Sequence, residues 1–224
     1  MSIDPRLIHI HPRKVFEECY ETLKKVGARN FLKSPKYKKE FEKFVAVLFT
    51  FGVRKFTKRE WYLQQIGDPP DFELMTASDR ETKDKPVDHA MIELVTIPEI
   101  VDSQQDKFKF TIDILEKGKL ASHYQPEKGI ILLIFLNSLS GPILSEQLSE
   151  YFLTNYNNKF KNVWCLYLLS IDPILSVRYI VKQLLPNKEV VECALKEELS
   201  EGIKYPHPLL DKFNKLYNKF EKGL

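Results

Sequence analysis

The sequence lacks any apolar run long enough to cross a bilayer. Its longest, from Ile130 to Leu136, is far short of the about 20 residues that a membrane-spanning helix needs. The opening residues, MSIDPRLIHIHPRK, also lack the apolar block of a signal peptide. We therefore expect no membrane contact and a cytoplasmic location.

Cysteine is scarce, with three residues in 224. Cys19, Cys165 and Cys193 are odd in number, widely separated and surrounded by apolar residues, which favours buried thiols in a reducing compartment over disulfides. Their spacing is also not that of zinc ligands. We therefore expect three reduced thiols and no zinc site.

Several familiar catalytic motifs are missing as well. The chain has no phosphate-cradling P-loop, no Rossmann glycine fingerprint and no nucleophile elbow around a serine. These absences weaken the assignment of a nucleotide-dependent or acyl-transfer enzyme.

The net charge is small, at +3, but the basic residues are unevenly distributed. One interpretation is an edge that faces a polyanion such as nucleic acid. The other is that these side chains solvate the outer faces of helices. The sequence leaves both open for the basic residues of this stretch, which are Lys33, Lys36, Lys38, Lys39, Lys43, Arg54, Lys55, Lys58 and Arg59.

Hydrophobic periodicity predicts two helices in the first quarter of the chain. Apolar residues recur at helical spacing from Val15 to Val26, and Gly27 then ends the run. The pattern repeats from about residue 36 to Gly52, with basic residues on the outer side. The next four residues, VRKF (53–56), are predicted as a short strand.

The rest of the chain alternates strand and helix patterns, which predicts an α/β domain with a central mixed sheet flanked by helices. A long exposed loop should join the first two strands. The tail should be a docking helix with an apolar stripe from Leu209 to Phe220. Strands are predicted at DFELM (71–75), MIELVTI (91–97), GIILLIFL (129–136), VWCLYLLS (163–170) and RYIVKQLL (178–185), and helices at 103–123 and 143–156.

We expect a single domain, because no stretch is poor enough in large apolar residues to be disordered and 224 residues suit one well-filled core. Within it, residues 36–186 form the predicted core. Residues 1–35 and 187–224 are predicted as N-terminal and C-terminal helical extensions.

Two carboxylates stand out in the predicted hairpin. Asp71 opens one strand after Pro70, and Glu93 lies at the centre of the next, an otherwise apolar strand. Opposed residues on antiparallel neighbours have Cβ atoms about 4.5–5.5 Å apart, which allows two carboxylates to hold one small cation. A buried carboxylate also requires a partner. Asp71 and Glu93 are therefore the predicted metal ligands.

The order of these elements and residues resembles the PD-(D/E)XK, or restriction-endonuclease-like, nuclease superfamily. Its core order of helix, strand, hairpin strand, helix and strand matches residues 36–186, with Pro70 and Asp71 as the PD pair and Glu93 as the second acid. The resemblance implies a nuclease that hydrolyses nucleic acid, with DNA favoured over RNA as the substrate, and with Mg²⁺, or Mn²⁺ in its place, held by Asp71 and Glu93.

The resemblance also implies further catalytic groups. A lysine usually follows the second acid by two residues, but Val95 occupies that position here. Gln105, Lys107 or Lys109 on the following helix could replace it. For the additional carboxylate that such proteins often carry on the preceding helix, we prefer Glu40 over Glu42.

Other interpretations of these residues stay open. Asp71 could simply start a strand after two prolines, and Glu93 could pair with a lysine. The function is then either a magnesium-dependent endonuclease or a catalytically inactive nuclease-like module that binds nucleic acid or another protein. A homodimer is also open.

Overall fold

The computed structural model describes residues 10–66, 70–76, 88–99, 106–121, 129–137, 141–155, 160, 162–172, 176–186 and 189–200. The helices are α1 (Pro12–Val26), α2 (Ala28–Lys33), α3 (Lys38–Thr57), α4 (Lys107–Lys117), α5 (Gly141–Asn155) and α6 (Leu195–Ser200), with a 3-10 turn at Pro35–Tyr37. The strands are β1 (Trp61–Gln65), β2 (Phe72–Thr76), β3 (His89–Ile97), β4 (Ile131–Leu136), β5 (Asn162–Asp172), β6 (Ser176–Leu185) and β7 (Val190–Ala194).

The described strands form one mixed sheet in the order β1-β2-β3-β4-β5-β6-β7. Pairing is antiparallel from β1 to β3, parallel from β3 to β5, and antiparallel again from β5 to β7. The parallel pairs need crossover connections, and α4 and α5 provide them. The predicted α/β class with a central mixed sheet and flanking helices is confirmed.

Helices cover both faces of this sheet. Successive residues of a strand point to opposite faces, so Ile92 and Leu94 of β3 pack in the core formed with α1 and α3. Val95 and Ile97 contribute to the opposite core, formed with α4 and α5. Glu93 lies on the face of Val95 by the same alternation.

Helix α3 is longer than the sequence predicted. We expected it to end at Gly52 and a short strand to follow at 53–56, but the helix continues to Thr57. Gly52 is needed for packing, because a Cβ atom there would lie 2.5 Å from Cγ2 of Val181 on β6. The helix ends at Lys58, a left-handed residue whose N–H donates to the carbonyl of Arg54.

Other boundaries also differ from the prediction. The short strand β1 was not predicted, and α4 occupies only the middle of the helix predicted at 103–123. The stretch assigned to a C-terminal helical extension opens with a strand, β7, which joins the sheet. The tail helix predicted from Leu209 to Phe220 and the loop at 77–87 lie outside the described residues.

The predicted burial of the cysteines is confirmed. Cys19, Cys165 and Cys193 are buried free thiols, as expected. Trp61 and Trp164 are both in the core. Among the described residues, no helix is both long and apolar enough to span a membrane.

Candidate metal centre

Asp71 lies immediately before β2 and is held against β3 by its backbone and its side chain. Its N–H donates to the carbonyl of Ile92 at 3.0 Å. Its carboxylate oxygen Oδ2 accepts a hydrogen bond from the N–H of Leu94 at 2.7 Å. Because these two contacts lie on either side of Glu93, they fix Asp71 beside that residue.

The electrostatic environment of Asp71 reflects this position. The pKa of its carboxyl group is raised from 3.8 to about 6, mainly by burial, and the negative charges of Glu93 and Glu42 act in the same direction. The hydrogen bond from Leu94 and the charge of Lys119 act in the opposite direction. Asp71 is therefore a carboxylate that would gain from a bound cation.

Glu93 is fully buried in β3, with Leu132 of β4 as its neighbour in the sheet. Its oxygen Oε1 forms an ion pair with Nζ of Lys119. Its other oxygen, Oε2, has no hydrogen-bond partner within the described part of the chain. A buried carboxylate oxygen without a partner is costly, so this atom is a ready ligand for a cation.

Lys119 is the residue that the sequence analysis missed. It follows Gly118, at which α4 ends, and the N–H of its neighbour Leu120 donates to the carbonyl of Leu115 at 2.8 Å. This turn directs the chain back toward β4 and places the ammonium group of Lys119 on Glu93. The sequence does contain a signal for this turn, because a glycine such as Gly118 commonly ends a helix. The prediction overlooked it and continued the helix to residue 123.

The carboxylate of α3 that acts on Asp71 is Glu42. Its side chain pairs with Lys38 at 3.6 Å, and its charge raises the pKa of Asp71. Glu40, which we preferred from the sequence, lies beside α1, where its backbone carbonyl accepts a hydrogen bond from Sγ of Cys19 at 3.4 Å. Of the two candidates for the additional carboxylate, Glu42 therefore acts on the charge of Asp71, whereas Glu40 contacts Cys19.

The lysines that we predicted as catalytic groups on α4 lie near the start of the helix, whereas Lys119 follows its end. Lys107 is the first residue of the helix, and its charge acts on Glu99. Lys109 is exposed in the first turn. Eleven residues of helix extend about 16 Å, which separates Lys107 from the turn that carries Lys119. Gln105 lies outside the described residues.

The position that a lysine would normally occupy remains apolar. Val95 packs against the core of α4 and α5. Val95 therefore gives Glu93 no positive charge. That charge comes from Lys119, which lies 26 residues after Glu93 in the chain.

No family model, curated protein or solved structure matches this chain. The arrangement of its own residues is therefore the basis for a functional proposal.

The donor atoms fit a hard divalent cation. Within the described ranges there is no group of three or more His, Cys, Asp or Glu side chains that could hold a metal ion. Mg²⁺ needs less, because it commonly binds through one or two carboxylates together with water and phosphate oxygens. The Asp71 carboxylate and the unpartnered Oε2 of Glu93 supply that minimum.

Proposed function

We propose that this chain is a divalent-metal-dependent nuclease that hydrolyses phosphodiester bonds of nucleic acid, with DNA as the first substrate to test. The observation that carries the proposal is the fully buried carboxylate of Glu93, which keeps one oxygen without a partner beside a second carboxylate, Asp71. Purely structural sites rarely leave such an atom unsatisfied.

Asp71 and Glu93 would hold Mg²⁺ or Mn²⁺. The bound ion would supply charge neutralisation at the phosphate and make an attacking water more acidic. The protein orients its ligands beforehand, because Leu94 fixes Asp71 by a hydrogen bond and the sheet fixes Glu93. Such preorganisation lowers the reorganisation needed at the moment of reaction.

Lys119 would act on the reacting phosphate. Its ammonium group is in contact with Glu93, so a phosphate at the two carboxylates would meet a positive side chain. A positive group placed there would stabilise the negative charge that develops in the transition state. We assign to Lys119 the role that the superfamily gives to the lysine missing at Val95.

The charge distribution around α3 supports a polyanionic substrate. Lys33, Lys36, Lys38 and Lys39 are exposed at the start of this region. Lys38 pairs with Glu42, and the charge of Glu42 acts on Asp71. Exposed lysines at this position would bind phosphates on either side of the scissile bond.

The element order supports a divergent PD-(D/E)XK nuclease. A helix (α3), two antiparallel strands (β2 and β3), a helix (α4) and further strands follow one another as that resemblance implies. The strand β1 between α3 and β2 is compatible with this order because it extends the sheet at its edge.

The test is cleavage of labelled single-stranded and duplex DNA, and of RNA, with Mg²⁺ or Mn²⁺. We expect Asp71→Asn and Glu93→Gln to lose at least about 100-fold in rate, because each removes a charge that binds the ion. Glu40→Gln is the matched control and should cleave normally. Intact substrates with the wild-type protein in both metals would reject the proposal.

An inactive nucleic-acid-binding or protein-interaction module is the second candidate, and one observation favours it. The Glu93–Lys119 ion pair already compensates the buried charge without a metal. In that case the protein would bind DNA with strong salt dependence but would neither bind Mn²⁺ nor cleave. Calorimetric titration with Mn²⁺ separates the two candidates directly.

A further inference from the structure

We infer that Lys119 is a built-in competitor of the metal ion, so that its ammonium group compensates the charge of Glu93 in the resting protein and weakens cation binding there. The inference rests on the proposed metal site, because it describes how the occupancy of that site is controlled. It assigns Lys119 a role in binding equilibria that is separate from any role in the reaction.

The first step is that Glu93 must be compensated when no metal is present. Its side chain has no exposed surface, and an ionised carboxylate in such a place requires a nearby positive charge or hydrogen-bond donors. Lys119 supplies the positive charge at Oε1. The protein can therefore fold with no metal at the proposed site, because Lys119 compensates the charge of Glu93 there.

The second step is that the same charge opposes a cation. Lys119 lowers the pKa of the Asp71 carboxyl group, whereas Glu93 raises it, so all three charges interact. A divalent ion between the two carboxylates would lie within a few ångströms of the ammonium group. Repulsion at that distance remains substantial inside a protein, because the effective dielectric constant is far below that of water.

The third step is that the lysine can give way. Lys119 lies past the end of α4 and keeps 24% of its side chain exposed. Its neighbour Leu120 holds the backbone through the carbonyl of Leu115. Rotation of the lysine side chain toward solvent therefore needs no change in the helix or in the sheet, and the ammonium group could move aside as a cation enters.

The experiment measures Mn²⁺ affinity by isothermal titration calorimetry in the wild-type protein and three variants. Lys119→Met keeps an unbranched side chain one atom shorter and removes the charge, and it should bind Mn²⁺ at least about tenfold more tightly. Lys119→Arg keeps the charge and should bind as weakly as the wild type. Lys117→Met removes an exposed charge from the last turn of α4 and should not change the affinity.

A second measurement covers the case in which Lys119→Met folds poorly. Without metal, this variant should have a lower Tm than the wild type, because Glu93 loses its partner. Saturating Mn²⁺ should return most of that loss. The double variant Lys119→Met with Glu93→Gln should regain stability without metal and no longer respond to Mn²⁺.

The outcomes are distinct. Equal or weaker Mn²⁺ binding by Lys119→Met, or a loss of Tm that Mn²⁺ does not restore, would overturn the competitor role while leaving the metal site intact if the wild type still binds. A failure of the wild type and of every variant to bind Mn²⁺ would overturn the proposed function, and this inference with it.

Discussion

The carboxylate of Asp71 accepts a hydrogen bond from the backbone N–H of Leu94 at 2.7 Å. β2 begins one residue later, at Phe72. The side chain of Asp71 therefore gives β3 a hydrogen-bond acceptor just before the start of β2. The contact holds the charge of Asp71 beside Glu93, whose negative charge helps to raise the pKa of Asp71.

The raised pKa of Asp71 predicts how stability without metal depends on pH. Its carboxyl group has a pKa of about 6 in the folded protein, against an ordinary value of 3.8, so the folded state holds the proton more tightly. The resulting stability is present below about pH 4 and is lost as the pH rises through 6. The Tm of the wild type should therefore fall relative to that of Asp71→Asn across this range.

Controls for this pH dependence are available in the same chain. Asp113→Asn, on α4, should follow the wild-type curve. Saturating Mn²⁺ should raise the Tm of the wild type near pH 5 but not that of Asp71→Asn, because the variant lacks a ligand of the ion. Parallel curves for the wild type and Asp71→Asn in the absence of metal would contradict the assignment.

Lys119 should affect turnover and metal affinity in opposite directions. Lys119→Met is expected to lower kcat by roughly 100-fold, since it removes a positive group at the reacting phosphate. The same variant should bind Mn²⁺ more tightly. Single-turnover cleavage at saturating Mn²⁺ measures the first effect, and an unchanged rate would exclude Lys119 from the reaction.

The structure predicts a difference between two neighbouring carboxylates of α3. Glu42→Gln should weaken Mn²⁺ binding about threefold, because it removes a negative charge that acts on Asp71. Glu40→Gln should not, since Glu40 lies beside Cys19. Titration calorimetry on the matched pair tests this, and equal effects would place both residues at the same distance from the ion.

The thiols should be unreactive in the folded protein. Burial raises the pKa of Cys19 and that of Cys165 to about 12, so very little thiolate exists at pH 8. Cys193 is fully buried. Mass spectrometry after a short exposure to iodoacetamide should show little labelling of the native chain and labelling of all three thiols in denaturant. Rapid labelling of the native protein would contradict this packing.

Gly52 should resist enlargement despite its position inside a helix. Alanine would normally favour the helix, but a Cβ atom at this position would lie 2.5 Å from Val181. We expect Gly52→Ala to lower the free energy of unfolding by about 1–3 kcal/mol. Combining it with Val181→Ala should cost less than the sum of the two single changes, as measured by urea unfolding, and strict additivity would argue against the contact.

Periodicity along the chain was enough to predict the fold class, helix α1 and the strands from β2 to β6. These elements bury one or both faces, and burial imposes a hydrophobic period that is visible in a single sequence. The edge strand β1 was missed because only alternate residues of its five are buried, and a run this short carries little periodicity.

The same local reasoning failed where a residue serves a distant partner. Gly52 was interpreted as the end of a helix, whereas its lack of a side chain accommodates Val181 on β6. Glu40 and Glu42 are equivalent choices in the sequence of α3. Packing of the helix against α1 directs the first toward Cys19 and leaves the second to act on Asp71.

The two carboxylates and their antiparallel strands were determined by the sequence itself. Glu93 stands at the centre of one strand pattern and Asp71 stands just before the neighbouring one, and recognising such patterns requires only local information. The partner of Glu93 was decided by tertiary structure. Lys119 reaches Glu93 from 26 residues away, after α4 has returned the chain across the sheet and Gly118 has ended the helix. Only the folded path of the backbone brings this lysine, out of the many in the chain, to Glu93. The sequence pattern around a charged residue does not show which distant residue it will pair with.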